Sequence, residues 1–151
     1  MKNVILSFLF VLGLGFYASA QNSTSIEPIM KKGLEFVKEI EKKYGDKAIV
    51  VKSEFDFAFD DNYTILDLSN TLTYVFGGLG DDNIADITMI IYKKENGQWV
   101  KVAEDAELKN SAVISYTPTS SGEYAVDLHV NKYVNEDTKI GHVALFVIAT
   151  K

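Results

Sequence analysis

The chain contains no cysteine and no arginine, and only two prolines, two histidines and one tryptophan among its 151 residues. Without cysteine there is no disulfide, no thiolate nucleophile, no cysteine-containing zinc site and no lipid anchor through a thiol. Without arginine the forked, two-point capture of phosphate or carboxylate is unavailable. All 15 basic side chains are lysines, outnumbered by 21 aspartates and glutamates for a formal net charge of −6. An acidic surface of this kind argues against nucleic acid or an anionic membrane as partner. Long apolar runs are equally scarce. The one that exists, Val4 to Phe16, comes after Lys2 and precedes Ala18-Ser19-Ala20. A positive start, a short apolar stretch and small residues at −3 and −1 define a secretory signal peptide over residues 1–20, cut before Gln21. The run is too short to span a bilayer comfortably. The expectation is an exported protein, periplasmic or extracellular, with no membrane insertion after cleavage.

Beyond the leader, about 130 residues remain, enough for one domain that buries about two-thirds of its unfolded surface. Residues 21–45 read as a polar start and an amphipathic helix. Thr24 or Ser25 caps it, Glu27 and Pro28 fill the first turn, and Gly45 ends it. Between Glu27 and Tyr44 the residues Ile29, Met30, Gly33, Leu34, Val37, Ile40 and Tyr44 recur at helical spacing, with lysines and glutamates opposite. The mixture of signs on the polar face favours packing on the domain over a membrane surface.

From residue 46 the period changes to two. Ala48–Lys52, Phe55–Phe59, Tyr63–Leu68, Leu72–Phe76 and Asp86–Tyr92 read as strands. Asn96-Gly97, between YKKE and QWVKVA, marks a hairpin. Ser111 to Asn131 reads as two alternating strands joined by a tight connection through Pro118 and Gly122. His142 to Thr150 is nearly all apolar. Eight or nine short strands separated by turn signals indicate an all-β sandwich over residues 46–151. Thr88–Tyr92 and Val143–Ala149 are apolar on both faces, and the helix is the element available to cover them.

The segment Asn62 to Thr150 resembles the bacterial pre-peptidase C-terminal domains. The similarity lies in YTILDLSNTLTYVF, in the acidic loop GDDN leading into ADITMIIYKKENGQWV, and in AVISYTPTSSGEYAVDLHV. Two departures stand out: Thr71-Leu72-Thr73-Tyr74 lacks the family's glycine, and Ile87-Thr88-Met89 replaces a leucine alternation. The resemblance implies a jelly-roll-like sandwich acting as a non-catalytic accessory domain, sometimes with calcium. Here a leader and a helix precede it where the family has a protease.

Three groups of residues are candidates for chemistry. Asp81, Asp82 and Asp86, with Asn83, crowd within six residues and would supply the oxygens that calcium takes. Asp60, Asp61 and Asn62 form a second acidic turn, and Glu104 and Asp105 a third. Turn chemistry explains the same residues, because Asp and Asn bond their own backbone. Tyr63, Tyr92, Trp99, Tyr116 and Tyr133 would form a stacking platform for sugar rings or a protein partner, if they are not core or edge packing. His129 should face water beside Asp127, and His142 begins the last strand; neither has the neighbours of a catalytic base. The two N-x-Thr triplets, at Asn22 and Asn62, are read as incidental in a bacterial protein. The reading is therefore an exported, non-catalytic binding or accessory module for a protein or carbohydrate ligand, with calcium as a stabiliser and no other cofactor. A small secreted hydrolase using a carboxylate pair and a structural component of the cell envelope are the alternatives.

Overall fold

The computed structural model describes residues 25–58 and 62–151. The leader, the Asn22 triplet, Thr24 and the turn residues Asp60 and Asp61 lie outside the described residues. Helix α1 (Glu27–Tyr44) starts where Ser25 Oγ accepts the backbone N–H of Glu27 at 3.2 Å and Pro28 presets the first turn. Lys42 and Lys43 lie in its last turn and Gly45, at φ 58°, closes it. A 3-10 turn, Gly45–Lys47, delivers the chain to the first strand.

Eight strands follow among the described residues: β1 (Ala48–Phe57), β2 (Tyr63–Leu68), β3 (Thr73–Gly80), β4 (Ile84–Glu95), β5 (Gln98–Asp105), β6 (Ser111–Tyr116), β7 (Gly122–Tyr133) and β8 (His142–Thr150). They form two four-stranded antiparallel sheets, β1-β8-β3-β6 and β2-β7-β4-β5. The architecture is a sandwich whose facing sides interleave: Phe76, Ile114 and Val147 meet Met89, Ile91 and Val126 in the core. The segments expected separately at 48–52 and from Phe55 run together in β1 as far as Phe57, with a bulge between Val50 and Lys52, and Phe59 lies outside the described residues.

Among consecutive strands only β4 and β5 share a sheet. Their turn has Asn96 at φ 50° and Gly97 at φ 81°, the left-handed pair that a two-residue hairpin demands. Residues 111–131 form the two strands expected from their alternation, joined by a short connection, but the strands do not pair with each other. β6 pairs with β3 and β7 with β2 and β4, so Pro118–Gly122 carries the chain across the sandwich. Each strand buries one face, and that pattern is met equally by neighbours in one sheet and by strands in facing sheets.

β8 is buried throughout: Val143, Leu145 and Val147 enter the core, and Ala144 and Phe146 face the helix. The face of α1 that docks holds Ile29, Gly33, Phe36 and Val37. A Cβ on Gly33 would lie 2.2 Å from Cζ of Phe146, and one on Gly77 2.4 Å from Phe36, so both glycines permit the close approach. Met30 and Leu34, expected on this face, are exposed one helical step away. The helix thus covers β8. It cannot also cover β4, which lies in the other sheet, and among the described residues no helix lies over the outer side of β4.

Candidate binding site

The uncovered outer side of β2-β7-β4-β5 gathers three of the five aromatic residues singled out from the sequence. Strand register aligns Ile65, Ala125, Tyr92 and Lys101 across the four strands, with Tyr63 opposite Asp127 in the next row and Trp99 opposite Lys94 on the hairpin. Three inter-strand steps separate the outermost strands, about 14 Å. Ala125 is the reason a depression forms here. Its methyl group is a low point between Ile65 and Tyr92, and Tyr63 and Trp99 stand at the ends of the resulting hollow of about 450 Å³. Tyr63, Ile65 and Trp99 are 59%, 61% and 41% exposed, so apolar and aromatic surface faces water.

The rim is charged and ordered. Lys94 Nζ lies 5.4 Å from the centre of the Trp99 ring and pairs with Glu123, fixing the indole from one side. Lys101 bonds Glu104 at 2.9 Å, and that carboxylate holds the lysine above its ordinary pKa. Asp127 is buried on the same strand two residues from Ala125. His129 is half-buried opposite Thr88, farther along this face.

A second concavity of about 240 Å³ opens where the sandwich is unsealed, between the edge strands β1 and β2. Glu54, Asp56, Asn62 and Thr64 line it over a floor of Leu128, Val143 and Leu145, and Tyr63 belongs to both concavities. Thr64 Oγ1 donates to Glu54 Oε2 at 2.7 Å, tying the two sheets together at their open edge. Lys52 Nζ lies 3.4 Å from the same oxygen. Asp56 Oδ1 accepts the backbone N–H of Phe57 at 2.8 Å.

The acidic loop is dispersed. Asp81 is buried, with Oδ1 accepting from the backbone of Asn83 and Oδ2 from the backbone of His142, both at 2.8 Å, and Oδ2 also 3.1 Å from His142 Nδ1. Asp86 accepts the backbone N–H of Lys109 and the side-chain amide of Asn131, each at 3.0 Å. Asp82 points outward to Lys32 Nζ at 2.7 Å, and that bond lowers its pKa. Among the described residues no group of three or more His, Asp or Glu side chains is assembled as a metal cage. Asp105 accepts backbone N–H groups of Glu107 and Val113.

The remaining sequence candidates are structural. Tyr133 is buried and donates to the backbone oxygen of Ala58, and Tyr116 packs on Tyr124 at 6.0 Å. His142 is buried beside Asp81 and under the Phe57 ring at 4.8 Å, so it is no surface histidine. Sequence reasoning missed Ile65 and Ala125, which complete the hollow, and Glu54, Asp56 and Thr64 in the cleft. The alternation of Ile65 with inward Thr64 and Leu66 was the available signal. No family model matches the chain, and no curated protein is significantly similar to it. No helix among the described residues is long and apolar enough to cross a membrane.

Proposed function

We propose that this protein is an exported, non-catalytic binding module that takes a carbohydrate chain on the outer face of its second sheet. The observation that carries the reading is the hollow itself: Tyr63, Tyr92 and Trp99 around an Ala125 floor, open to water and flanked by fixed charge. Sugar rings present flat C–H faces edged with hydroxyls, and an aromatic surface rimmed by polar groups suits both parts. The strand order supports a jelly roll, with β1-β8-β3-β6 facing β2-β7-β4-β5, an architecture that recurs in lectin domains. That analogy, like the resemblance to pre-peptidase C-terminal domains, bears on the kind of module and not on its ligand.

Trp99 is the chain's one tryptophan and stands in the hollow, so intrinsic fluorescence reports on the site directly. Titration with soluble neutral oligosaccharides should quench or shift its emission saturably. Ala125→Leu, which fills the floor, should abolish the response and leave the thermal midpoint within a few degrees. Absence of any response across a panel of gluco-, manno- and xylo-oligosaccharides refutes the proposal. The second reading, a hydrolase, is favoured by one feature, the presence of Glu54 and Asp56 in a single cleft. Product release from those oligosaccharides that is lost in Glu54→Gln would establish it.

A further inference from the structure

The hollow runs obliquely across its sheet. Trp99 lies opposite Lys94, two residues beyond Tyr92 along β4, and Tyr63 lies opposite Asp127, two residues from Ala125 in the other direction. Between these aromatic ends the path covers three inter-strand steps and four residues of strand rise, about 14 Å each way and about 20 Å along the diagonal. Tyr92 and Ala125 face each other midway. Both ends stand on edge strands, Tyr63 on β2 and Trp99 on β5, and among the described residues no strand continues the sheet past either. The hollow's lining likewise includes no described residue beyond those edges. Each lysine beside the path has its charge offset within the protein, Lys94 by Glu123 and Lys101 by Glu104, which suits a neutral sugar better than an acidic one.

We propose that the hollow binds an internal stretch of an extended neutral polysaccharide, about four sugar rings laid diagonally from Trp99 to Tyr63, and does not read the ends of the chain. This rests on the carbohydrate reading of the hollow and adds to it the length and form of the ligand. A ring in an extended chain advances about 5 Å, close to one inter-strand step, so about four rings fill a path of about 20 Å. Aromatic side chains at both ends and midway meet rings that are well separated along the chain. A short oligosaccharide reaches only some of them at once, and a coiled chain leaves the line that joins them.

The test is a length series read by Trp99 fluorescence of the full chain. The probes are linear β-1,4-linked gluco-, manno- and xylo-oligosaccharides of two to six rings, the hexamers with the terminal ring reduced to an alditol, and an α-1,4-linked glucohexaose. In the series that binds, affinity should rise at least about tenfold from two rings to four and change less than about threefold from four to six. Reduction of the terminal ring should leave the hexamer within the same margin. Tyr63→Ala, at an exposed position, should weaken the tetramer about tenfold and spare the dimer, which reports from the Trp99 end. Tyr63→Phe keeps the ring and should bind the tetramer as the parent does. The length series needs no variant, so it decides the matter whether or not Tyr63→Ala folds. Equal affinity for two rings and four, loss of binding on reducing the end, or equal weakening of dimer and tetramer by Tyr63→Ala overturns the inference and leaves a site for a short or terminal sugar. Tighter binding of the α-linked hexamer than of any extended chain overturns it too. Silence of every probe overturns the carbohydrate reading itself.

Discussion

Replacing Gly33 by alanine should destabilise the protein, although the same change in an exposed helix stabilises it. Alanine is favoured over glycine in a helix interior by about 1 kcal/mol. Here the added methyl carbon would lie 2.2 Å and 2.6 Å from two atoms of the Phe146 ring, well inside contact distance. That ring cannot swing aside freely. It is buried, with Phe55 packed edge-on at 5.6 Å and Phe36 tilted at 6.0 Å. Forcing an extra carbon into a filled site costs about 1–3 kcal/mol. Set against the propensity gain, Gly33→Ala should lose about 1 kcal/mol, and Gly33→Leu about 2 kcal/mol or more. Leu34→Ala, on the exposed face of the same helix, should change stability by no more than about 0.5 kcal/mol.

Urea denaturation monitored by circular dichroism gives the three values. Phe146→Leu supplies the decisive comparison, because it removes the obstructing ring. In that background Gly33→Ala should become neutral or stabilising, a coupling of about 1–2 kcal/mol between residues in contact. A Gly33→Ala protein more stable than the parent, with no coupling to Phe146, would mean that α1 does not lie on β8.

Further expectations concern the open edge and the acidic loop. Thr64→Val removes the hydroxyl that bonds Glu54 across the edge and should cost about 1–2 kcal/mol in chemical denaturation, while Thr64→Ser should recover most of it. The Asp82 carboxyl is held below its ordinary value by its bond to Lys32. A depressed folded-state pKa contributes stability above the unfolded value and loses it as pH falls through the folded one, so the contribution fades below about pH 4. The pair is exposed and worth under about 1 kcal/mol; Lys32→Ala should raise the Asp82 pKa in a carboxyl NMR titration. Calcium at 100 times a dissociation constant would add about 2.7 kcal/mol to a native-state site. The oxygens of Asp81 and Asp86 already accept protein N–H groups, so melting temperatures in calcium and in chelator should agree within about 1 °C. A rise of about 5 °C would identify a metal site instead.

Periodicity made the helix, the last strand and the Asn96-Gly97 hairpin legible, because each is decided by local chemistry and one buried face. It left two kinds of position undecided. In residues 111–131 the alternation is real, but alternation carries no information about which sheet a strand joins. In β1 phenylalanines alternate with carboxylates, and the alternation does not say which set meets the interior. At this edge Phe55 lies under the helix, Phe57 is more than half exposed over His142, and Glu54 and Asp56 line the cleft. An edge strand meets water on the side that would be interior elsewhere, and the pattern of its side chains does not record where the sheet stops. The acidic loop is a different case. Asp81, Asp82 and Asp86 are close in sequence, yet two turn inward to cap backbone groups and one turns out to Lys32, a choice made by partners 23 to 61 residues away.

The same asymmetry explains why the proposed binding face is on one sheet only. Both sheets contain a strand apolar on each side, and the chain has one helix among its described residues to cover them. Gly33 and Gly77 let that helix settle against Phe146 and Phe36, and among the described residues no equivalent pair of glycines meets the outer side of β4. Covering β8 stabilises the fold in the absence of any ligand. Leaving Tyr63, Ile65 and Trp99 exposed sacrifices the burial of apolar surface, at about 25 cal/mol per Å². A partner that lies on those side chains recovers that free energy as affinity. The exposed face therefore has a thermodynamic consequence that the covered face lacks: ligand binding there should raise the melting temperature, and Ala125→Leu should remove that rise while leaving the unliganded midpoint nearly unchanged.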